Sequence, residues 1–446
     1  MKTVIMAGGR GTRISEMFPD IPKPLIGIRD GNGIERPVLE WEIRSLVAQG
    51  FTDIILTVSH MADKIEAYFG TGEQLGCTIS YFREDVPLGN AGALFKLSET
   101  LGSEPFLLLN ADAVFEIDFN RFVNWHRNQP GALVSLFTHP NSHPYDSGLI
   151  ISNEDNSVSA WLTKEDARPQ WYKNRVNAGL HVIDPAVLDM TAVRLPFDVS
   201  EIGEPDENGK IRKVDLDRQI LKPLCGTGTM FAYDSPEYVK DMGTPERYEQ
   251  VCRDFQNGTV AAKNLSNKQK AIFLDRDGTI NKYVGFLRKI EDFKLIDGAA
   301  EAIKLINESG YLAIVVTNQP VIARGEVTVE QLQLIHDKME TLLGREGAYV
   351  DDLYYCPHHP DRGFAGEVEA LKIDCDCRKP KPGLILRAAQ DFNIRLEDSW
   401  MIGDGKNDVG AGKAAGCKTV LIGEDECEAD ITAENLLEAV EVILGK

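Results

Sequence analysis

Short apolar runs alternate with amphipathic stretches along this chain, and the alternation lapses into polar residues at 256–269. Such a pattern folds as layered α/β structure, because each apolar run suits a buried strand and each amphipathic stretch a helix that covers it. In the first half the runs fall at 4–7, 54–58, 79–82, 106–109, 133–137 and 180–183, with amphipathic stretches such as 38–49 and 91–99 between them. In the second half they fall at 271–274, 312–316, 353–355, 400–402 and 419–422. The lapse is turn-prone and free of aromatic residues apart from its borders, so it reads as a linker. Two doubly wound α/β domains are predicted, 1–255 and 270–446, joined by a short linker at 256–269. Their sites are expected at the carboxyl ends of the strands.

The formal net charge of −21 repels nucleic-acid phosphates. It does not exclude phosphorylated small molecules, since backbone nests, basic side chains and bound cations reverse the field inside a cleft. No run approaches the roughly 18 apolar residues of a membrane span. The opening apolar run Thr3-Val4-Ile5-Met6 is short and soon interrupted by glycines, so no signal peptide is expected. The eight cysteines therefore point to a reducing, cytoplasmic compartment and not to a disulfide framework. The expected partners are small-molecule substrates, with no nucleic acid and no membrane; the sequence fixes no oligomeric state.

The opening run ends in Ala7-Gly8-Gly9-Arg10-Gly11-Thr12-Arg13. Its glycines let backbone N–H groups approach a polyanion, and Arg10 and Arg13 add charge-assisted hydrogen bonds. No Gly-Lys-Ser/Thr closes the loop, so it is not a Walker A sequence. Downstream, Pro22 and Pro24 stiffen the backbone around Lys23, which can then aim at phosphates. Loop and Pro-Lys-Pro segment together resemble the nucleoside-diphosphate-sugar pyrophosphorylases. The likeness continues at Pro87-Leu88-Gly89-Asn90-Ala91-Gly92, with Asn90 where relatives carry threonine. It extends to Asn110-Ala111-Asp112 and to Asp241-Met242-Gly243-Thr244-Pro245. It implies a GT-A-like fold and nucleotide or sugar contacts at Gly8, Gly9, Arg10, Gly11, Thr12, Gly89, Asn90, Asn177 and Gly179. It also implies a phosphate contact at Lys164, and Mg²⁺ held by Asp112 and Asp241. The chemistry implied is in-line attack of a sugar-1-phosphate on the α-phosphate of a nucleoside triphosphate, aided by Arg13, Lys23 and Mg²⁺.

The run at 271–274 ends in Asp275-Arg276-Asp277-Gly278-Thr279. Two acids just past a strand end can face one pocket, and such a pair is costly to bury unless a cation joins it. The segment resembles the haloacid-dehalogenase-like (HAD-like) phosphatases. That implies Asp275 as nucleophile, forming an aspartyl-phosphate. It implies Asp277 as general acid and then base, and Mg²⁺ held by Asp275, Asp277 and Asp404. Thr317 and Asn318 can hold phosphoryl oxygens, Lys379 balances the charge on phosphorus, and Arg378 meets substrate.

Cys356-Pro357-His358 and Cys375-Asp376-Cys377 supply three thiols and an imidazole, a closed tetrahedral set suited to structural Zn²⁺. His359 is a rival to His358 for the fourth place. The clip narrows the second resemblance to a zinc-containing branch that includes heptose-1,7-bisphosphate 7-phosphatases and histidinol phosphatases. Together the resemblances imply two Rossmann-like domains, GT-A-like then HAD-like. One would remove the 7-phosphate of a heptose 1,7-bisphosphate, and the other would join GMP from GTP to the 1-phosphate. Two alternatives stay open. One is a phosphatase of histidinol phosphate or another monoester fused to a uridylyl- or cytidylyltransferase. The other is a first half that binds a nucleotide sugar without catalysis.

Overall fold

Phe106-Leu107-Leu108-Leu109 explains the burial of the first sheet. Alternate side chains on a strand point to opposite faces. Leu107 and Leu109 accordingly pack with Ile5, Leu56 and Val58, while Phe106 and Leu108 pack with Val4 and Ile55 on the other side. An unbroken apolar run fits only a sheet covered on both faces.

The computed structural model describes residues 1–9, 14–111, 113–424 and 427–446. They form two units. The first is Met1–Thr138, Gly148–Leu162 and Asn177–Ala261; the second is His139–Ser147, Thr163–Val176 and Ala262–Lys446.

In the first unit the strand order is Val158–Leu162, Leu149–Ser152, Val176–Ile183, Phe106–Asn110, Lys2–Met6, Asp53–Val58, Thr78–Arg83. Lys2–Met6 lies parallel to both of its neighbours, so the chain winds first to one side of it and later to the other. The carboxyl ends of Lys2–Met6 and Phe106–Asn110 thus flank a topological switch point, where open α/β sheets bind ligands. The sheet is mixed, because Val176–Ile183 runs antiparallel to Phe106–Asn110. A second, two-stranded sheet pairs Ala113–Glu116 with Tyr238–Asp241 and sets Asp241 opposite Ala113.

In the second unit the sheet order is Asp352–Cys356, Tyr311–Asn318, Lys270–Leu274, Trp400–Gly403, Lys418–Ile422, Ile431–Ala433, parallel throughout. Helices Ala299–Asn307 and Leu436–Leu444 cover one face, and Gly383–Asp391 and Lys406–Ala415 the other. Lys270–Leu274 is central, so Asp275 emerges between the ends of two neighbours.

The boundary differs from the expected linker. Thr259–Ala262 is helical, and Leu265 and Gln269 are buried. Gln269 donates to the carbonyls of Asn264 and Asn267. The second unit also takes in 139–147 and 163–176. Arg175 donates to Glu340 at 3.2 Å and to the Asp351 carbonyl at 3.0 Å, and Glu340 accepts the Asn174 N–H at 2.9 Å. Thr341 Oγ1 accepts from the Tyr172 N–H and donates to its carbonyl. Among the described residues no helix is long and apolar enough to cross a membrane.

Candidate functional site

The first unit holds a cavity of about 740 Å³ at the switch point. Met6, Ala7, Gly8 and Gly9 line it from one strand end, Asn110 and Ala111 from the next. Gly89 also lines it, with φ of +86°, and a Cβ there would stand 2.3 Å from the Val214 carbonyl oxygen, so the close approach of two backbones requires glycine. Lys23, almost wholly buried, lines the cavity and stands 3.7 Å from Asp241 Oδ1. Asp241 also accepts the Gly243 N–H at 2.6 Å and pairs with Arg247. Arg10, Gly11, Thr12, Arg13 and Asp112 lie outside the described residues.

Several expected contacts are placed otherwise. Asn90 lines the cavity, but its Oδ1 accepts the Leu216 N–H at 2.7 Å, so its carbonyl end is spent on the loop beside it. Asn177 Oδ1 accepts from the Gly179 N–H and faces His181 Nε2 at 3.2 Å; burial keeps that imidazole neutral, with its pKa pushed down to about 3. Gly179 leaves room for Asn110, whose Nδ2 would be 2.6 Å from a Cβ at that position. Lys164 is exposed, belongs to the second unit and is not among the residues lining the cavity. Of its charged lining residues, Glu84 and Lys213 were not anticipated from the sequence. Burial raises the Glu84 carboxyl, and the Leu88 N–H and Lys213 oppose that rise.

The second unit holds a cavity of about 230 Å³ where three parallel strands end. Lys379 sits at its floor, almost without exposure. Its Nζ donates to Asp275 Oδ1 at 2.7 Å, Asp408 Oδ1 at 2.6 Å and the Val316 carbonyl at 2.8 Å. Burial alone would lower the pKa of this ammonium, but the two carboxylates outweigh it and the net shift is upward. One ammonium does not neutralise the surrounding acids. The Asp275 carboxyl is pushed up to about 6, by burial first, with Lys379 opposing and Asp408 and Asp277 adding to the rise. Asp404 is likewise pushed up to about 6, by burial and then by the charge on Asp275.

Asp275, Asp404 and Asp408 each offer an oxygen, all within 4.8 Å of one another. Hard carboxylate oxygens gathered this closely suit a hard divalent cation such as Mg²⁺. Asp408 was assigned no role on sequence grounds, and it takes the place expected for the Asp277 carboxylate. That carboxylate accepts instead from Arg276, Asn281 and Gln319. Burial works to raise its pKa, but Arg276 and the two amides prevail and the net shift is downward. Gly278, at φ of +87°, makes the turn possible, since a Cβ there would fall 1.9 Å from Asp404 Oδ2.

The Asn318 amide lines the cavity and holds the Lys379 backbone. Its Oδ1 accepts the Lys379 N–H and its Nδ2 donates to the Lys379 carbonyl, both at 3.0 Å, so it positions Lys379. Thr317 Oγ1 accepts from Gln319 and keeps its own proton to donate, and Arg378 lines the cavity.

Cys356, His358, Cys375 and Cys377 converge as expected. Their sulfur pairs lie at 3.5, 3.3 and 3.2 Å, and His358 Nδ1 is 3.3 Å from Cys377. Four ligands about 2.3 Å from one zinc stand roughly 3.8 Å apart at tetrahedral angles, so a small inward set of this kind fits the ion. His359 is outside the group, its Nδ1 accepting the Asp361 N–H.

Residues 2–256 match the Nucleotidyl transferase family, and residues 376–442 match the HAD-hydrolase-like family. The D-glycero-β-D-manno-heptose-1,7-bisphosphate 7-phosphatase of Pasteurella multocida is 45% identical over 155 residues, covering 34% of this chain and 82% of that protein. The protein of the same name from Haemophilus ducreyi is 39% identical over 181 residues, covering 39% of this chain and 97% of its own. The crystal structure of HddC from Yersinia pseudotuberculosis is 24% identical, covers 57% of this chain and 99% of that one, and has a TM-score of 0.45.

Proposed function

We propose, on the premise that this chain belongs to the nucleotidyl transferase family through its first half and to the HAD-like phosphatases through its second, that it is one enzyme with two successive reactions. The first removes the 7-phosphate of a D-glycero-D-manno-heptose 1,7-bisphosphate. The second joins GMP from GTP to the remaining 1-phosphate, giving GDP-heptose and pyrophosphate. The observation that carries the reading is Lys379 bridging Asp275 and Asp408 beside Asp404, at the mouth of a parallel sheet.

An Asp275 oxygen attacks phosphorus as the bond to the sugar oxygen breaks. Asp277 protonates that oxygen, then takes a proton from the water that releases inorganic phosphate. Lys379 holds Asp275 in line and offsets charge on the transferred group, and Thr317 Oγ1 has a proton to offer a phosphoryl oxygen. Mg²⁺ on Asp275, Asp404 and Asp408 would supply the remaining positive charge. Zn²⁺ on the three cysteines and His358 would brace the loop that precedes Arg378.

In the first unit Lys23 presents its ammonium to the cavity where the triphosphate would lie, with Asp241 close by as a cation ligand. Glu84 supports guanine. A carboxylate accepts two hydrogen bonds side by side, and guanine alone among the common bases offers adjacent ring N–H and amino donors.

Incubation with heptose 1,7-bisphosphate, GTP and Mg²⁺, read by mass spectrometry, tests the scheme. Wild type yields GDP-heptose. Asp275→Asn leaves the bisphosphate untouched, and Lys23→Ala accumulates heptose 1-phosphate. Loss of the anomeric phosphate, or equal use of UTP, refutes it.

A further inference from the structure

Arg276 stands between the two acids of the nucleophile turn and has no exposed surface. Its Nη2 donates to both oxygens of Asp277, at 3.0 and 2.8 Å, while its Nε and Nη1 meet no acceptor among the described residues. His336 lies near enough to feel the charge, but burial, with that charge adding to it, holds the imidazole neutral, so it brings no competing cation. A buried guanidinium with idle donors stabilises a fold poorly, and apolar side chains would fill the space better. What the arrangement does achieve is control of one carboxylate.

Asn281 Nδ2 donates to Oδ1 of Asp277 at 3.0 Å, and Gln319 Nε2 donates to Oδ2 at 2.9 Å. Each oxygen therefore has two donors, and rotation about the Cβ–Cγ bond breaks several hydrogen bonds together. The N–H groups of Ile280 and Asn281 both close onto the Arg276 carbonyl, which fixes the backbone from which Arg276 and Asn281 reach back. The Asp277 side chain keeps 18% exposure, and it lines the cavity.

We propose that Arg276 is a positioning residue for proton transfer to the leaving group. From behind, it fixes the plane of the Asp277 carboxylate, and the oxygen that takes up the proton gives up one of its two donors to face the ester oxygen. The proposal rests on the reading of Asp277 as proton donor. In that step the Asp275–phosphorus bond forms, the phosphorus–alcohol bond breaks, and the proton passes from Asp277 to the alcohol oxygen. An alkoxide needs the proton to leave. A p-nitrophenolate departs without one, so its release is insensitive to how Asp277 is aimed.

The test compares kcat/KM, which reports steps up to the aspartyl-phosphate, for glycerol phosphate and p-nitrophenyl phosphate in the full chain. Arg276→Met lowers the alkyl value by about 10²–10³ and the aryl value by no more than about threefold. Gln319→Leu keeps the cation and gives the same selective loss at about tenfold, and it decides the matter if Arg276→Met does not fold. Proportionate loss on both esters, or an unchanged alkyl-to-aryl ratio, overturns the proposal. Asp277→Asn separates premise from proposal. If that variant is unselective, the reading of Asp277 fails and the proposal falls with it. If it is selective while the other two are not, the proposal alone fails.

Discussion

Replacing Lys379 with methionine keeps the length of the side chain and removes its charge. Nζ lies 2.7 Å from Asp275 and 2.6 Å from Asp408, on a side chain with 3% exposure. At an effective dielectric constant of about 20, each unit pair at such a distance is worth roughly 6 kcal/mol before desolvation. Breaking a buried pair by deleting one partner leaves a net loss of about 3–5 kcal/mol. Chemical denaturation in EDTA should therefore show the second unit of Lys379→Met destabilised by that amount. Millimolar Mg²⁺ should restore most of it, because the three acids that lose their ammonium are the ones that gather within 4.8 Å. Turnover of p-nitrophenyl phosphate should stay about 10²–10³ below wild type even with Mg²⁺, since the ammonium that fixes Asp275 is still missing. Wild-type stability in EDTA, or recovery of turnover together with stability, refutes the reasoning.

The acid cluster also sets a pH dependence. Asp275 and Asp404 titrate near 6 in the folded, metal-free protein, above the ordinary carboxyl value. Their neutral form is favoured by folding, so metal-free stability falls as pH rises from about 4 to about 6 and then levels. Mg²⁺ needs the ionised form, and calorimetric titration should show weaker binding at pH 5 than at pH 7.5. Metal analysis should find one zinc per chain, absent from Cys375→Ser, with limited proteolysis then cutting between Cys356 and Cys375. Lys23→Ala should reduce pyrophosphate release from GTP and sugar 1-phosphate by at least about 10², leaving p-nitrophenyl phosphate hydrolysis at the wild-type rate. Arg175→Met strands the buried Glu340 carboxylate and should cost about 3–5 kcal/mol in the second unit, measured by urea unfolding.

The residues easiest to read were those that motif and strand end place together. Asp275 and Asp404 sit where parallel strands stop, Lys379 lies in the Arg-Lys-Pro turn before the Gly383–Asp391 helix, and the cysteine clip is compact in sequence. Asp408 was harder. It enters through the first turn of the Lys406–Ala415 helix, and only the missing side chain of Gly403, where a Cβ would fall 2.3 Å from Asp408 Cγ, lets it close on Lys379. Glu84 and Lys213 meet through tertiary structure alone, so no local pattern joins them. Asn90 and Asn318 have the right residue type for ligand contacts, yet each is taken up by a backbone partner that sequence does not reveal. The stretch 256–269 looked like a linker because its residues are polar. Composition cannot distinguish a polar side chain in water from one, like Gln269, that is buried and donates its amide N–H groups to backbone carbonyls.

The second unit is not contiguous in the gene. Tyr172, Asn174 and Arg175 complete the helix that carries Glu340 and Thr341, though they are encoded long before the nucleophile turn. A break in the reading frame at 256–269 would thus part Glu340 from Arg175 and the Asn174 N–H, and Thr341 from the Tyr172 backbone.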